Sequence, residues 1–158
     1  MGGLVDLGRR GVLLLGAVAV LAACASTAQG ADDERVRTDL EPLERRFAAL
    51  GRLSGAHWLG IVLGGDSRLS VPGPSDVRLV GIAQLRAGAV AAVVGTPQWD
   101  FEPETPSSPP EPLAEFMPAG ARWVRSGSFD LEVTSEGDSG AFYLDPETDS
   151  VYFDYVDQ

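Results

Sequence analysis

The clearest periodic pattern in the first third of the chain is a stripe of large apolar residues spaced four and three positions apart. This spacing places them on one helical face, with charged residues between them facing water. Asp39 suits the N-cap, which would put Pro42 in the first turn, and Gly51 would end the helix. The pattern predicts a helix within residues 34–50 that packs through Val36, Leu40, Leu43, Phe47 and Leu50. A separate helical segment before Asp39 is left open.

Two β-rich segments follow this helix. Residues 56–64 are apolar with a weak point at Gly60. In residues 77–85 one side carries Val77, Leu79, Gly81, Ala83 and Leu85, and the other carries Arg78 and Gln84, which is typical of a strand. A Pro-Gly-Pro loop separates them within residues 70–76. In residues 86–95 alanine favours a helix and valine allows a strand, and we expect a short helix that Gly95 closes.

A proline-rich segment then spans residues 96–112, with six prolines in seventeen residues. Proline lacks a backbone donor, so neither a helix interior nor a central strand fits here. The segment is predicted to be a long loop. Trp99 and Phe101 are expected to hold one end of it against the core.

The last third has the strongest β pattern. Residues 128–133 alternate apolar and acidic side chains and predict a strand, and residues 141–144 and 151–156 predict a hairpin. Nine acids and no base occur from Phe129 to Gln158, which predicts a solvated sheet face carrying Tyr143 and Tyr152 as well. The opposite, core-facing side would carry Phe142, Leu144, Val151, Phe153 and Tyr155.

These elements predict the α+β class: one N-terminal helix packed on a mainly antiparallel sheet of four to five strands. They form a single globular domain over residues 34–158, with the proline-rich loop 96–112 inside it.

Residues 1–23 have the pattern of an export signal. Arg9 and Arg10 precede an apolar run of thirteen residues, Gly11 to Ala23. At about 1.5 Å per residue this helix is too short for a hydrocarbon core of about 30 Å. The length fits the apolar region of a signal peptide, which is removed from the mature protein.

The apolar run ends in Leu21-Ala22-Ala23-Cys24, which resembles the lipobox of bacterial lipoproteins. The resemblance implies cleavage before Cys24 and attachment of a thioether-linked diacylglycerol and further palmitate-type chains to that residue. The alternative is an ordinary secretory signal followed by a chance cysteine. A lipidated Cys24 implies a protein held at the outer face of the cytoplasmic membrane by its lipid anchor.

Two further features concern export. Residues 24–33 are mostly small and polar, as expected of a flexible tether. The basic pair also resembles a twin-arginine signal, although Gly8 stands where serine or threonine is usual. The sequence therefore leaves general secretion and twin-arginine export open.

The charge balance excludes some partners. The formal net charge of the 158-residue chain is −11, and a phosphate backbone repels such a surface, so no nucleic-acid partner is expected. The same charge disfavours direct contact with anionic lipid head groups. With Cys24 as the only cysteine, no disulfide can form within the domain.

The string Gly137-Asp138-Ser139-Gly140 resembles the nucleophile motif of chymotrypsin-like serine proteases, and the single histidine, His57, precedes it. The resemblance implies Ser139 as nucleophile and His57 as base. Ala141, however, replaces the second glycine of that motif, where a Cβ restricts the backbone of an oxyanion hole. The chain is also short for two six-stranded barrels, and the string is ordinary turn chemistry before a hairpin.

A second resemblance is to small actinobacterial proteins of unknown function, which carry a Gly-Ala-His-Trp segment and an Arg-x-x-Pro-Gly-Pro-Ser/Thr-Asp segment. It brings no known activity. It implies that His57, Trp58, Arg68 and Asp76 lie near one another. Arg68 and Asp76 could also simply clamp the loop as an ion pair. The matching residues are His57, Trp58, Arg68, Pro72, Gly73, Pro74 and Asp76.

The sequence thus predicts a non-enzymatic binding or interaction module with no catalytic, cofactor or metal residues, and with Cys24 as its modification site. Its partner would be an unidentified protein or ligand of the cell envelope, met through an aromatic patch around Trp99 and Trp123. A serine hydrolase using Ser139 and His57 is the alternative.

Overall fold

The computed structural model describes residues 35–63, 76–134 and 136–158. Within them, one sheet of six strands forms the centre of the domain, and every neighbouring pair of strands is antiparallel. The strands are β1 (Leu53–Val62), β2 (Val77–Leu85), β3 (Glu102–Pro103), β4 (Val124–Arg125), β5 (Ser139–Asp145) and β6 (Ser150–Asp157). Their order across the sheet is β1-β2-β6-β5-β4-β3.

Short helices connect the strands. The α-helices are α1 (Glu41–Arg46), α2 (Ala89–Val94) and α3 (Gly127–Val133), and two 3₁₀ helices span Ala48–Leu50 and Glu111–Phe116. The α+β class is therefore confirmed. The described residues form six strands rather than the expected four to five, because the two-residue strands β3 and β4 extend the sheet. β3 lies within the predicted loop 96–112, so the expectation that no strand forms there is wrong at Glu102 and Pro103, which pair at the sheet edge.

The helix expected within residues 34–50 is wrong in extent. At its end, α1 stops at Arg46, and the separate 3₁₀ helix Ala48–Leu50 leads to Gly51. Arg37 pairs instead with Trp58 on the edge of β1, through backbone hydrogen bonds of 2.8 and 2.9 Å, and α1 begins only at Glu41. Asp39 is not the N-cap, and its carbonyl accepts the indole N–H of Trp58 at 3.0 Å. Pairing with the sheet edge satisfies these backbone groups, so a longer helix gains nothing there. The apolar stripe still buries Leu43, Phe47 and Leu50.

The strand expected at residues 128–133 is wrong, because this segment forms α3. The hydroxyl of Ser126 accepts the backbone N–H of Phe129 and caps the helix. Phe129 and Val133, four residues apart, both point into the core, while Leu131 between them is 78% exposed. Apolar residues at positions 129, 131 and 133 fit a strand as well as a helix, and the Ser126 cap favours the helix.

Both faces of the sheet are buried, which corrects the expected solvated face of the hairpin. The first face carries the main core, where α1, α2 and α3 pack over Phe142, Phe153 and Tyr155. On the second face, Tyr143 and Tyr152 are buried as well. Leu113 and Trp123 cover them from the irregular segment between β3 and β4.

Other expectations are confirmed. The hairpin β5–β6 forms with its predicted core residues inward, β1 and β2 pair as neighbours, and α2 ends at Gly95. Trp99 and Phe101 hold the proline-rich segment against Phe129, with ring centroids 5.7 and 5.4 Å away.

The predicted signal peptide 1–23, Cys24, the tether 24–33 and the loop residues from Arg68 to Pro74 lie outside the described residues. Among the helices described, none has the length and apolar character needed to cross a bilayer.

Candidate functional site

The Gly137–Gly140 string leads from a turn into β5, and its two glycines have structural reasons. Gly137 has φ +96°, a conformation that residues with a side chain rarely adopt. Gly140 packs against the core, where a Cβ would lie 3.1 Å from a ring carbon of Tyr155 and 3.0 Å from the methyl group of Thr134. Neither position requires catalysis to explain its glycine.

Asp138 is the buried anchor of this turn. Its side chain is 6% exposed, and its carboxylate accepts hydrogen bonds from the Tyr155 hydroxyl and from the backbone N–H of Gln158. The guanidinium of Arg46 lies 3.7 Å away. The hydrogen bond from Tyr155 is the main cause that lowers the pKa of Asp138. The carboxylate therefore joins the start of β5 to α1 and to the C-terminal residue.

Arg46 and Tyr155 complete this network. Arg46 donates to the Tyr155 hydroxyl at 3.0 Å and pairs with Asp157. Burial is the main cause that raises the pKa of Tyr155 to about 12, and its hydrogen bond to Asp138 acts in the same direction. The phenol stays protonated at neutral pH and serves as a donor to Asp138.

His57 and Ser139 are not brought together. Three inter-strand steps separate them, because His57 is opposite Ile82, Ile82 is opposite Tyr152, and Tyr152 is opposite Tyr143. At about 4.8 Å per step this is about 14 Å across the sheet, and Ser139 lies four residues from Tyr143, about 13 Å along the strand. The imidazole instead stacks on Phe116, with ring centroids 3.8 Å apart. A hydrogen bond between imidazole and hydroxyl needs about 3 Å.

The residues shared with the actinobacterial proteins are not brought together either, as far as the structure describes them. His57 and Trp58 are successive residues of β1, so they point to opposite faces of the sheet. Asp76 is exposed and immediately precedes β2, five residues before Gly81, which is the partner of Trp58. Arg68 lies outside the described residues, and so does its expected ion pair with Asp76.

The aromatic patch expected around Trp99 and Trp123 does not form, because the two indoles belong to opposite faces. Trp99 packs with the main core, and Trp123 packs over Tyr143 and Tyr152 on the second face. Neither side chain is freely exposed.

Most acids of the last third have protein partners. Asp130 accepts from Arg125 and from the backbone N–H of Phe142, and burial is the main cause that raises its pKa. Asp149 accepts the N–H groups of Gly88 and Val90 and thereby caps α2. Asp154 binds Arg78 through two hydrogen bonds. In the described ranges, no three His, Cys, Asp or Glu residues are grouped as metal ligands would be.

A cleft of about 820 Å³ lies on the first face, between α1 and the ends of β1 and β2. Arg37, Arg45, Arg46 and Asp157 line it. Each arginine is paired with a carboxylate: Arg37 with Asp39 at 3.1 Å, Arg45 with Glu41 at 2.8 Å, and Arg46 with Asp157. Its base is apolar, formed by Trp58, Gly60, Val62 and Leu79. We call it the arginine cleft.

The arginine cleft borders the outer edge of the sheet. β1 is the outermost strand, and on its outer side the bridge between Arg37 and Trp58 is the sole pairing that the described residues provide. The sequence analysis did not predict this cleft. The sequence shows several arginines beside the apolar stripe, but which of them lie beside the edge of β1 depends on where α1 begins, and that start was not predicted correctly.

Comparison with protein-family models, with curated proteins and with solved structures found no match for this chain.

Proposed function

We propose that this chain is an exported lipoprotein, held at the outer face of the cytoplasmic membrane by lipid on Cys24, whose folded domain is a non-enzymatic binding module. The observation that carries the anchor is the string Leu21-Ala22-Ala23-Cys24 directly after a short apolar run. A single acyl chain binds a membrane only marginally, whereas the two or three chains of a lipoprotein hold it stably.

The distance along the chain from Cys24 to the described domain suits such an anchor. Ten residues lie between Cys24 and Arg35, the first residue described. The eleven Cα–Cα steps from Cys24 to Arg35 can span at most about 40 Å when fully extended. The acidic domain can therefore work in the envelope space while its own net charge keeps it off anionic lipid head groups.

The geometry favours binding over hydrolysis. Gly137 is explained by its positive φ, Asp138 by its hydrogen bonds and Gly140 by its packing, so the protease-like string needs no catalytic explanation. His57 lies across the sheet from Ser139 and stacks on Phe116. A nucleophile needs its base within hydrogen-bond reach.

The anchor is tested by expressing the full-length chain in a bacterial host fed with an alkyne-tagged palmitate analogue. Wild-type chain should carry the label and sediment with membranes, and Cys24→Ser should lose the label and leave the membrane fraction. Ser26→Ala, two residues away, is the matched control and should be labelled as wild type. Label retained by Cys24→Ser would refute the anchor.

The hydrolase alternative is tested with a fluorophosphonate probe on the same preparations. We expect no labelling that depends on Ser139. A signal that disappears in Ser139→Ala and persists in Ser128→Ala would show an activated serine and would overturn the binding-module proposal.

A further inference from the structure

A cavity of about 270 Å³ lies on the second face of the sheet, over the neighbouring strands β5 and β6. Residues two apart along a strand share a face, so cross-strand pairs line this cavity together. Ser107 of the proline-rich segment lines it as well. We call it the tyrosine cavity, and its three pairs are Ser139 with Val156, Ala141 with Asp154, and Tyr143 with Tyr152.

The hydroxyl of Tyr152 is an unsatisfied group at this cavity. The residue is 1% exposed, and its hydroxyl has no hydrogen-bond partner among residues 35–63, 76–134 and 136–158. Burial is the main cause that raises the pKa of Tyr152 to about 12, and the negative charge of Asp154 acts in the same direction. Asp154, two residues along β6, lies on the same face and lines the cavity too. Buried polar atoms almost always have partners, so this protonated hydroxyl is a donor that needs an acceptor.

Charge does not select a ligand for this cavity. Asp154 lines it, but this carboxylate already binds Arg78 through two hydrogen bonds of 2.8 and 2.7 Å. The chain as a whole has a formal net charge of −11 and repels anions. A neutral ligand is therefore favoured.

Hydroxyl groups supply the polar contacts instead. Ser107 and Ser139 are exposed, and their hydroxyl groups can turn toward a ligand, as donors or as acceptors. Ala141 and the ring of Tyr143 add apolar surface. The volume is just below the range of about 300–1,000 Å³ that is typical of ligand pockets, so the ligand is small.

The Tyr152 hydroxyl is closed from solvent in this structure, so a ligand reaches it only when part of its cover moves. Within the described ranges, residues 105–109, which include Ser107, form no hydrogen bond with the rest of the chain. Such bonds occur just outside them, from Glu104 to Trp123 and from Leu113 to Pro110. Segments with few hydrogen bonds open at low cost in free energy. This short stretch is therefore the part of the cover that can shift.

We propose that the tyrosine cavity binds one ring of a neutral sugar, that a sugar oxygen accepts the Tyr152 hydroxyl, and that residues 105–109 shift to admit it. This inference rests on the proposed function of the domain as a binding module. The hydroxyl groups of a sugar both donate and accept, which matches the groups of Ser107 and Ser139. Its C–H groups suit the apolar surface of Ala141 and Tyr143. A peptide carbonyl is the competing occupant, since it also accepts a hydroxyl.

The test is a nuclear magnetic resonance titration of the isotope-labelled full-length chain, in a detergent without a sugar head group. The probes are neutral hexoses and their methyl glycosides at millimolar concentration, which represent a soluble sugar and the end of a glycan. At least one should shift the amide signals of Ser107, Ser139 and Ala141 until they saturate. N-acetylglycinamide, which presents amide groups alone, should not. No saturable shift with any sugar, or an equal shift with the amide, would overturn the proposal, the latter by showing a peptide site.

Variants that each lack one hydroxyl locate the sugar. Tyr152→Phe removes the unpartnered hydroxyl and breaks no hydrogen bond of the described residues, so the fold is retained. It should raise the dissociation constant of the sugar about fivefold. Ser128→Ala changes an exposed residue of α3, which packs on the first face, and should bind as wild type. Wild-type affinity in Tyr152→Phe, or sugar-induced shifts that spare Ser107, would overturn the proposal.

The outcome is separable from those of the lipid anchor and of the binding module. Wild type and Cys24→Ser should bind the sugar alike, so the anchor and the cavity are judged independently. Fluorophosphonate labelling of Ser139 together with sugar binding would refute the non-enzymatic function alone. Absence of both the labelling and the sugar-induced shifts would refute the sugar site alone.

Discussion

The hydroxyl of Tyr155 donates a hydrogen bond to the buried carboxylate of Asp138. This bond explains why an aspartate precedes Ser139 in a string that looks like a protease motif. The carboxylate accepts hydrogen bonds from Tyr155 of β6 and from the backbone N–H of Gln158, and it lies 3.7 Å from the guanidinium of Arg46. The neighbouring Ser139 is exposed.

Substitutions at Asp138 and at Ser139 should therefore change the free energy of unfolding by very different amounts. Asp138→Ala leaves the Tyr155 hydroxyl, which is fully buried, without its acceptor, and we expect a loss of about 1–3 kcal/mol in the free energy of unfolding. Ser139→Ala changes an exposed side chain and should stay within about 0.5 kcal/mol of wild type. Urea denaturation of both variants measures the difference. Equal losses would contradict the role given to Asp138.

Acid should weaken the contribution of Asp138. Its pKa is lowered in the folded state, mainly by the Tyr155 hydrogen bond, so its contribution is complete above the unfolded value of about 3.9. The contribution is lost as pH falls through the lower folded pKa. The stability difference between wild type and Asp138→Asn should therefore shrink as the pH falls below the unfolded pKa of about 3.9. The exposed Glu132→Gln is the control, and a difference constant with pH would refute the prediction.

Gly81 in β2 should be irreplaceable for a different reason. A Cβ at this position would lie 2.5 Å from the Trp58 Cβ and 2.6 Å from the His57 carbonyl oxygen, which are atoms of the paired strand β1. Backbone cannot give way cheaply, and we expect Gly81→Ala to cost about 3 kcal/mol. Gly55→Ala in β1 is the control, since its Cβ would meet only the Gln84 Cβ at 3.8 Å. Thermal unfolding of both variants checks this, and a tolerated Gly81→Ala would contradict it.

The sequence predicted the elements whose pattern is local. The hairpin β5–β6 and the apolar stripe through Leu43 and Phe47 were readable because periodicity alone specifies their buried side. The start of α1 was not, because pairing of Arg37 with Trp58 competes with the helix. That competition involves residues far apart in the chain.

The burial of both sheet faces had no local signal either. Tyr143 and Tyr152 alternate with core residues and have acidic neighbours, which suggests water. Leu113 and Trp123 shield these two tyrosines from water. Both residues follow the proline-rich segment 96–112 in a part of the chain without apolar periodicity. The role of Asp138 was hidden in the same way, because its partner Arg46 lies on α1, near the other end of the described chain.

Two tyrosines of β6 on opposite faces should respond in opposite ways to loss of their hydroxyl. Tyr152 is 1% exposed, and its hydroxyl has no hydrogen-bond partner in the part of the chain that the structure describes. Burial is the main cause that raises the pKa of Tyr152 to about 12. A buried polar group without a partner costs about 1–3 kcal/mol, so Tyr152→Phe should leave the free energy of unfolding unchanged or raise it.

Tyr155→Phe is the matched comparison, since it removes an equally buried hydroxyl that bonds to Asp138 and Arg46. It should lower the free energy of unfolding by about 1–3 kcal/mol, because the Asp138 carboxylate loses a donor. Urea midpoints of the two variants and wild type give the order directly. If Tyr152→Phe loses as much as Tyr155→Phe, the Tyr152 hydroxyl has a partner such as an ordered water, and its buried cost is already compensated.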